Sequence, residues 1–412
     1  MHWMLDCVYA IVALLISPIW LLRRARAGKL GTDWASRFGR GESLSPCDPN
    51  KTRILIHAVS VGEVNAIRTL VDALMRDRED VEVVIASTTD TGFARARSIF
   101  LDHAAVVRYP FDFSFAVNRL LDRVKPDLVL LVELEVWPNF TSRCAARGIP
   151  ICVINGRLSE RSFAWYRLVR PLVRPSFARL TWAAVQNEAY AARFRALGTK
   201  DVRVVGTMKW DTALIEDEVA GSVALAASMG IDRAKPLVVA GSTAPGEPEL
   251  LVKSLPQGVQ LLCAPRKPEW FDEAAQAMPG CARRSRNEKG TRYFLLDTIG
   301  ELRQAYALAD VVVIGRSFGV LHGSDMIEPI ALGKATIIGP RFGDFQEAAE
   351  ALISGGGLIQ TTADKLPTAL AELLEFPMKR AELAARGRAV IRSMQGATQR
   401  HLALLQPLLP MR

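Results

Sequence analysis

The stretch that most constrains this chain is Arg53 to Val64, RILIHAVSVGEV. Its apolar run Ile54 to Ile56 ends in a turn of small residues, and an apolar pattern at helical spacing follows from Glu63 to Met75. A strand, a tight turn and a helix in that order make the first half of a βαβ unit. The turn then lies at the carboxyl end of a parallel strand, where open α/β sheets bind ligands. Gly62 permits close approach of a substrate, and Glu63 falls in the first helical turn. There the helix dipole favours an ionised carboxylate, so Glu63 is expected to be a base rather than a buried acid. Helix stabilisation alone would also place an acid here, and on this stretch by itself that simpler account is the stronger.

The same alternation recurs along the chain. Strand-like runs at Arg53–Ala58, Val81–Ala86, Asp127–Val132, Pro150–Ile154, Trp182–Val185 and Val202–Val205 are separated by helical patterns. A polar, alanine-rich stretch from Asp211 to Lys235 reads as a helical connector. A second series follows at Pro236–Ala240, Val259–Ala264, Tyr293–Asp297, Val311–Ile314 and Ala335–Ile338. The fold class is therefore α/β, with two doubly wound domains over about 30–215 and 216–382. The chain has 412 residues, enough for two separate cores. A last helix, about Leu383 to Leu405 in the segment 383–412, is placed to pack back on the first domain.

Residues 1–29 are different. Val8 to Leu22 is almost wholly apolar, and Arg23, Arg24, Arg26 and Lys29 follow at once. A spanning helix wants roughly 20 apolar residues, and this run is shorter and interrupted by Pro18. A signal peptide carries its charges before the apolar core, not after it. The expectation is a membrane anchor with its basic flank on the cytoplasmic side. The formal net charge of +9 calls for an acidic partner. Six cysteines lie far apart with no C-x-x-C pair, which points to free thiols in a reducing compartment and away from zinc.

Several strand ends carry chemistry. Glu133 and Glu135 follow the buried run 127–132 and stand at the same sheet edge as Glu63, placed to share acid–base and electrostatic work; a helix cap after Pro138 would use such acids equally well. Lys209 follows the last strand of the first series and is a point charge for a leaving phosphate, or a plain surface lysine. From Arg157 to Arg179, six arginines including Arg157 and Arg161 alternate with Phe163, Trp165, Tyr166 and Phe177. Guanidinium groups suit phosphates and aromatics suit a lipid–water boundary, so with the anchor a phosphorylated lipid is the expected partner rather than nucleic acid. In the second series Ser242 and Thr243 close one strand, Pro265 and Arg266 the next, and Ile299, Gly300 and Glu301 open a helix with free N–H groups. Asp325 and Glu328 stand at capping-box spacing, and Glu328 is placed to accept from ribose hydroxyls.

Together these residues resemble the Kdo transferases, membrane-bound enzymes that move 3-deoxy-D-manno-octulosonate (Kdo) from its CMP derivative onto lipid A precursors. Nine blocks carry the resemblance in order: HAVSVGE (57–63), ELEVWPN (133–139), NGRLSERS (155–162), QNE (186–188), GTMKWD (206–211), AGSTAPGE (240–247), PRKPEWF (265–271), DTIGEL (297–302) and EPIALGKATIIGP (328–340). The resemblance implies a GT-B glycosyltransferase, two Rossmann-like domains facing a cleft, with an acceptor domain first and a nucleotide-sugar domain second. It implies Glu63 as general base and Glu133 and Lys209 as transition-state stabilisers. It also implies Pro265, Arg266, Ile299, Gly300 and Glu301 as the CMP-binding segments. The family's Gly-Gly-His-Asn-Pro-Leu-Glu run is here His322-Gly323-Ser324-Asp325-Met326-Ile327-Glu328. An acid replaces the amide and His322 a glycine, so the sugar nucleotide stays open at this point.

The expected activity is inverting transfer of Kdo from CMP-Kdo to a lipid IVA-like precursor at the cytoplasmic face of the inner membrane, with no metal and no further cofactor. A GT-B transferase using a UDP-sugar is the nearest alternative, separable by whether CMP or UDP protects against unfolding. A non-catalytic nucleotide- or lipid A-binding relative is the alternative of another class, but it would not need Glu63, Glu133 and Lys209 together. A hydrolase with paired carboxylates fits least, having no use for a nucleotide domain.

Overall fold

The computed structural model describes residues 5–7, 9–11, 14, 17, 33–41, 44–46 and 48–409. Most of the expected anchor, and all of its basic flank, lies outside the described residues. Among those that are described, no helix is long and apolar enough to cross a membrane. The chain divides into two compact units, one of Met1–Thr212 with Gln395–Arg412 and one of Ala213–Met394.

The first unit is built on seven strands: β1 (Thr52–His57), β2 (Val81–Ser87), β3 (Ala105–Arg108), β4 (Leu128–Val132), β5 (Ile151–Gly156), β6 (Trp182–Val185) and β7 (Val202–Val204). Their order across the sheet is β3-β2-β1-β4-β5-β6-β7, and every pairing is parallel. Parallel neighbours need a crossover, and the helices that supply it cover both faces. That is why β1 is buried at all six positions. Its side chains alternate: Ile54 and Ile56 pack with Leu130 on one face, Leu55 with Val129 and Leu131 on the other. β1 pairs with both β2 and β4, so the strand order reverses there, and the carboxyl ends of β1 and β4 flank a switch point.

The second unit repeats the plan with β8 (Leu237–Thr243), β9 (Gln260–Pro265), β10 (Ala282–Arg283), β11 (Tyr293–Leu295), β12 (Val311–Ile314), β13 (Ala335–Ile338) and β14 (Ile359–Gln360). The order is β10-β11-β9-β8-β12-β13-β14, again all parallel, with the switch between β8 and β12.

Three departures from the sequence reading have local causes. The connector 211–235 is helical only over Ser222–Met229, between Gly221 and Gly230, both at positive φ. Three strands had gone unread: β3, β10 and β14. The single helix expected over 383–405 is two, Pro377–Met394 and Ala397–Leu405, because Gly396 adopts φ +97°. The first of these belongs to the second unit and the other to the first. Asp211 receives that return, accepting from the N–H groups of Gly396, at 2.7 Å, and Thr398.

Candidate functional site

β1 ends at His57, and after two residues Ser60 caps the helix Val61–Ala66. The Glu63 N–H donates to Ser60 Oγ at 3.4 Å, while the Glu63 carboxyl accepts from the Val59 N–H at 2.8 Å and Ser60 Oγ at 2.9 Å. Glu63 is thus part of a reciprocal cap, the simpler role expected of it. Its charge is not what the helix dipole alone predicts. Burial pushes the Glu63 carboxyl up to about 7 against the pull of the Val59 N–H, with Glu133 and then Glu135 adding repulsion. Desolvation and like charge outweigh the hydrogen bonds from Val59 and Ser60, and the carboxyl titrates close to neutral pH.

Glu133 follows β4 at φ +59°, a left-handed backbone that turns the chain sharply at the strand end. Glu135 accepts from Trp137 Nε1 at 2.7 Å, and burial raises its carboxyl too. Lys209 stands exposed in the turn after β7 and is not among the main charges that move Glu63. Beneath this edge, buried His57 stacks on Tyr109 with ring centroids 3.6 Å apart and meets Thr88 Oγ1 at 2.9 Å. Burial lowers its imidazole to about 3, so His57 is a neutral floor under the site rather than a base.

A second buried acid supports the Glu133–Glu135 loop. Asp112 accepts the N–H groups of Asn139 and Phe140 at 2.9 and 2.8 Å, at the start of the helix Pro138–Ala146, and the Tyr9 hydroxyl at 3.1 Å. Asp6 accepts from Asn139 Nδ2 and the Ser114 N–H, both at 2.9 Å. The amino-terminal segment is thereby tied to the helix that follows the two acids. Asp112, Asp6 and Tyr9 were all missed in the sequence, because nothing local marks groups that meet only in the fold.

Arg157, just after β5, and Arg161, in the first turn of the helix Glu160–Leu168, are both exposed. The aromatics of this region divide. Phe177, Tyr166 and Phe163 pack onto the core, while Trp165, Leu168 and Leu172 are 68%, 73% and 54% exposed. An outward apolar patch therefore sits among exposed arginines.

In the second unit Ser242, at φ +58°, and Thr243 end β8, both buried. The Arg266 N–H donates to the Thr243 carbonyl at 3.0 Å, joining the ends of β8 and β9. Thr243, Pro265, Glu249 and Trp270 line one crevice, in which Thr243 Oγ1 and Glu249 Oε2 are buried without a partner. The helix expected to open at 298–301 begins only at Leu302. Ile299 is 79% exposed, Gly300 turns at φ +99°, and Glu301 is held by Arg284 at 2.9 Å and by Thr298 Oγ1. The expected capping box does not form either. Asp325 accepts from the Ile327 N–H at 2.8 Å, whereas Glu328 faces Arg303 at 3.5 Å. The helix Ile327–Ala331 starts too late for Glu328 to reach back.

Glu247 closes the AGSTAPGE block, but nothing local marks what its side chain does. Buried Glu247 accepts four backbone N–H groups: Ala244 at 2.8 Å, Arg316 at 2.7 Å, Ser317 at 2.9 Å and Phe318 at 3.1 Å. It staples the loop after β12 to the turn after β8, across the switch point.

Comparison with known proteins settles the family. Residues 32–212 match the family model described as 3-deoxy-D-manno-octulosonic-acid transferase (kdotransferase). The 3-deoxy-D-manno-octulosonic acid transferase of Bordetella pertussis is 33% identical, over 97% of this chain and 98% of its own. The chain belongs to the Kdo transferase family. The enzyme of the same name from Haemophilus influenzae is 31% identical, over 91% of each chain. As a Kdo transferase, the chain is a glycosyltransferase that transfers Kdo in lipopolysaccharide synthesis. Its fold is of the GT-B type. HepE of Anabaena, solved with UDP and glucose, superposes with a TM-score of 0.55 over 87% of this chain and 99% of its own, at 14% identity. The matched model spans the part of this Kdo transferase that contains Glu63, Glu133, Arg157, Arg161 and Lys209.

Proposed function

We propose that this Kdo transferase takes Kdo from CMP-Kdo and places it, with inversion, on a hydroxyl of a phosphorylated lipid A precursor, with Glu63 as general base. The observation that carries the reading is the carboxyl of Glu63 at a strand end, lifted to about 7 by burial and by two acid neighbours. A base works best when its pKa lies near the working pH. The proton of the acceptor hydroxyl passes to Glu63, the freed oxygen bonds to the anomeric carbon, and the bond from that carbon to the CMP phosphate oxygen breaks. Arg266 meets the charge left on the phosphate, and Glu133 and Lys209 steady the transition state. In this reading a single departing phosphate needs no metal. Exposed Arg157 and Arg161 hold acceptor phosphates, and the outward patch of Trp165, Leu168 and Leu172 meets acyl chains at the cytoplasmic face of the inner membrane. The apolar run 8–22 and the arginines after it support the same placement.

Incubation with CMP-Kdo and a tetra-acylated lipid A precursor, followed by mass spectrometry of the lipid, tests the reaction. An unmodified lipid would refute it. Glu63→Gln is expected to abolish transfer while CMP still protects the protein against thermal unfolding; turnover by that variant would remove Glu63 from the base role. Stronger protection by UDP than by CMP would shift the donor to a UDP-sugar.

A further inference from the structure

The second unit contains a cavity of about 230 Å³ that the reaction as proposed leaves unused. It is lined by His322, Pro340, Arg341, Phe342, Gly343 and Gln346, and its volume is far above the roughly 15 Å³ that one water needs. The cavity forms where the loops after β12 and β13 run side by side. The Gly323 N–H donates to the Arg316 carbonyl at 2.8 Å, the Arg341 N–H to the Ser317 carbonyl at 3.0 Å, and the Gly339 N–H to Ser317 Oγ at 2.9 Å. Gly323, at φ +80°, brings the two loops into contact, since a Cβ there would lie 2.9 Å from Phe342 Cα. Glu247 fixes the backbone of 316–318 from the other side. Part of the wall is thereby held by backbone hydrogen bonds, and the loop behind it by a buried carboxylate.

The lining has a definite chemistry. It offers a guanidinium, an imidazole and an apolar face of Pro340 and Phe342. Such a cavity suits an anion carried on a small, partly apolar body. A guanidinium recognises a carboxylate through two parallel hydrogen bonds, which fixes orientation as well as charge. His322 lies three residues before Asp325 and six before Glu328, so the cavity adjoins the segment read as holding the donor.

We propose that this cavity is the subsite for the carboxylate of the donor's sugar, with Arg341 pairing the carboxylate and His322 donating a further hydrogen bond. The proposal rests on the reading of CMP-Kdo as donor. An ulosonic acid bears its carboxylate on the anomeric carbon, so a group that grips the carboxylate also orients the carbon under attack. It would also select against neutral sugars, which leave the guanidinium unpaired.

Binding of CMP and of freshly made CMP-Kdo to the full-length protein, compared by calorimetry, separates the possibilities. The wild type is expected to bind CMP-Kdo more tightly than CMP. Arg341→Ala is expected to keep its CMP affinity and lose at least tenfold in the advantage of CMP-Kdo, with part of it restored in Arg341→Lys. His322→Gly is expected to act in the same direction, and carries the test if Arg341→Ala fails to fold. Retention of the full advantage by both variants would overturn the subsite while leaving the donor reading intact. An equal loss of CMP and CMP-Kdo affinity would also overturn it, placing the nucleotide phosphate in the cavity instead. A wild type that binds neither ligand would overturn the donor reading and the subsite with it.

Discussion

At the scale of single residues, charge decides. Only the ionised form of Glu63 can take a proton, so kcat/KM should rise with pH through about 7 and level off above it. Glu133 is the larger of the two repelling neighbours, and Glu133→Gln removes a negative charge. The pKa of Glu63 should then fall and the acid limb move to lower pH, less so in Glu135→Gln; a pH–rate profile for each variant checks the order. For stability the sign is reversed. A carboxyl raised on folding contributes most below its unfolded value near 4.5, and that contribution is lost as pH rises through about 7. The position of Glu63 was legible in the sequence, since a strand, a turn and a helix start are local signals. Its ionisation was not, because the burial and the two acids that set it come from elsewhere in the fold. Glu247 is a second case. Its carboxylate receives four N–H groups, and an amide would turn its own donors toward some of them. Glu247→Gln should destabilise the second unit by about 2–4 kcal/mol, read from its calorimetric transition.

At the scale of elements, the interior strands were legible because a strand buried on both faces must be a nearly unbroken apolar run, as in Leu128–Val132 and Val311–Ile314. The strands that escaped lie toward the margins. β3 is only partly buried, and β10 and β14 have two residues each, too few for any periodicity to show. Packing between elements was equally hidden. Gly387 lies inside the helix Pro377–Met394, where glycine costs about 1 kcal/mol relative to alanine. The crossing accounts for it: a Cβ there would lie 2.5 Å from Ile330 Cγ2 and 2.9 Å from the Gly357 carbonyl. Overpacking of that kind typically costs about 1–3 kcal/mol, which exceeds or cancels the gain in helix propensity. Gly387→Ala should therefore fail to stabilise the second unit, and should lower its melting temperature by a few degrees. A rise would mean that the helix can shift away from Gly357.

At the scale of the whole molecule, the first unit is finished by residues that lie nearly two hundred positions beyond its last strand. Ala397, Leu405 and Leu409 are buried in the same core as Ile54, Ile56 and Leu130. His401, wholly buried, joins them by hydrogen bonds. Its Nε2 accepts the Asn155 N–H at 3.0 Å, which requires that Nδ1 carry the proton and donate to the Ala397 carbonyl at 2.7 Å. A protonated imidazole would lose that acceptor, and burial lowers His401 to about 4. Because the folded value lies below the unfolded value near 6.5, its contribution is complete above about pH 6.5 and is lost as pH falls through about 4. The first unit should therefore weaken over that window, and His401→Gln, which can still offer an acceptor oxygen, should weaken less with acid than the wild type. Removal of residues 395–412 is the sharper test. It strips apolar cover from Ile54, Ile56 and their neighbours, leaves the buried Asn155 N–H without an acceptor, and strands the Asp211 carboxylate that received Gly396 and Thr398. The second unit loses no member of its own core. Calorimetry of the truncated chain should show one transition, from the second unit, with proteolysis confined to residues before 213. A surviving first-unit transition would mean that the returning helix is a passenger and that Met1–Thr212 folds without it.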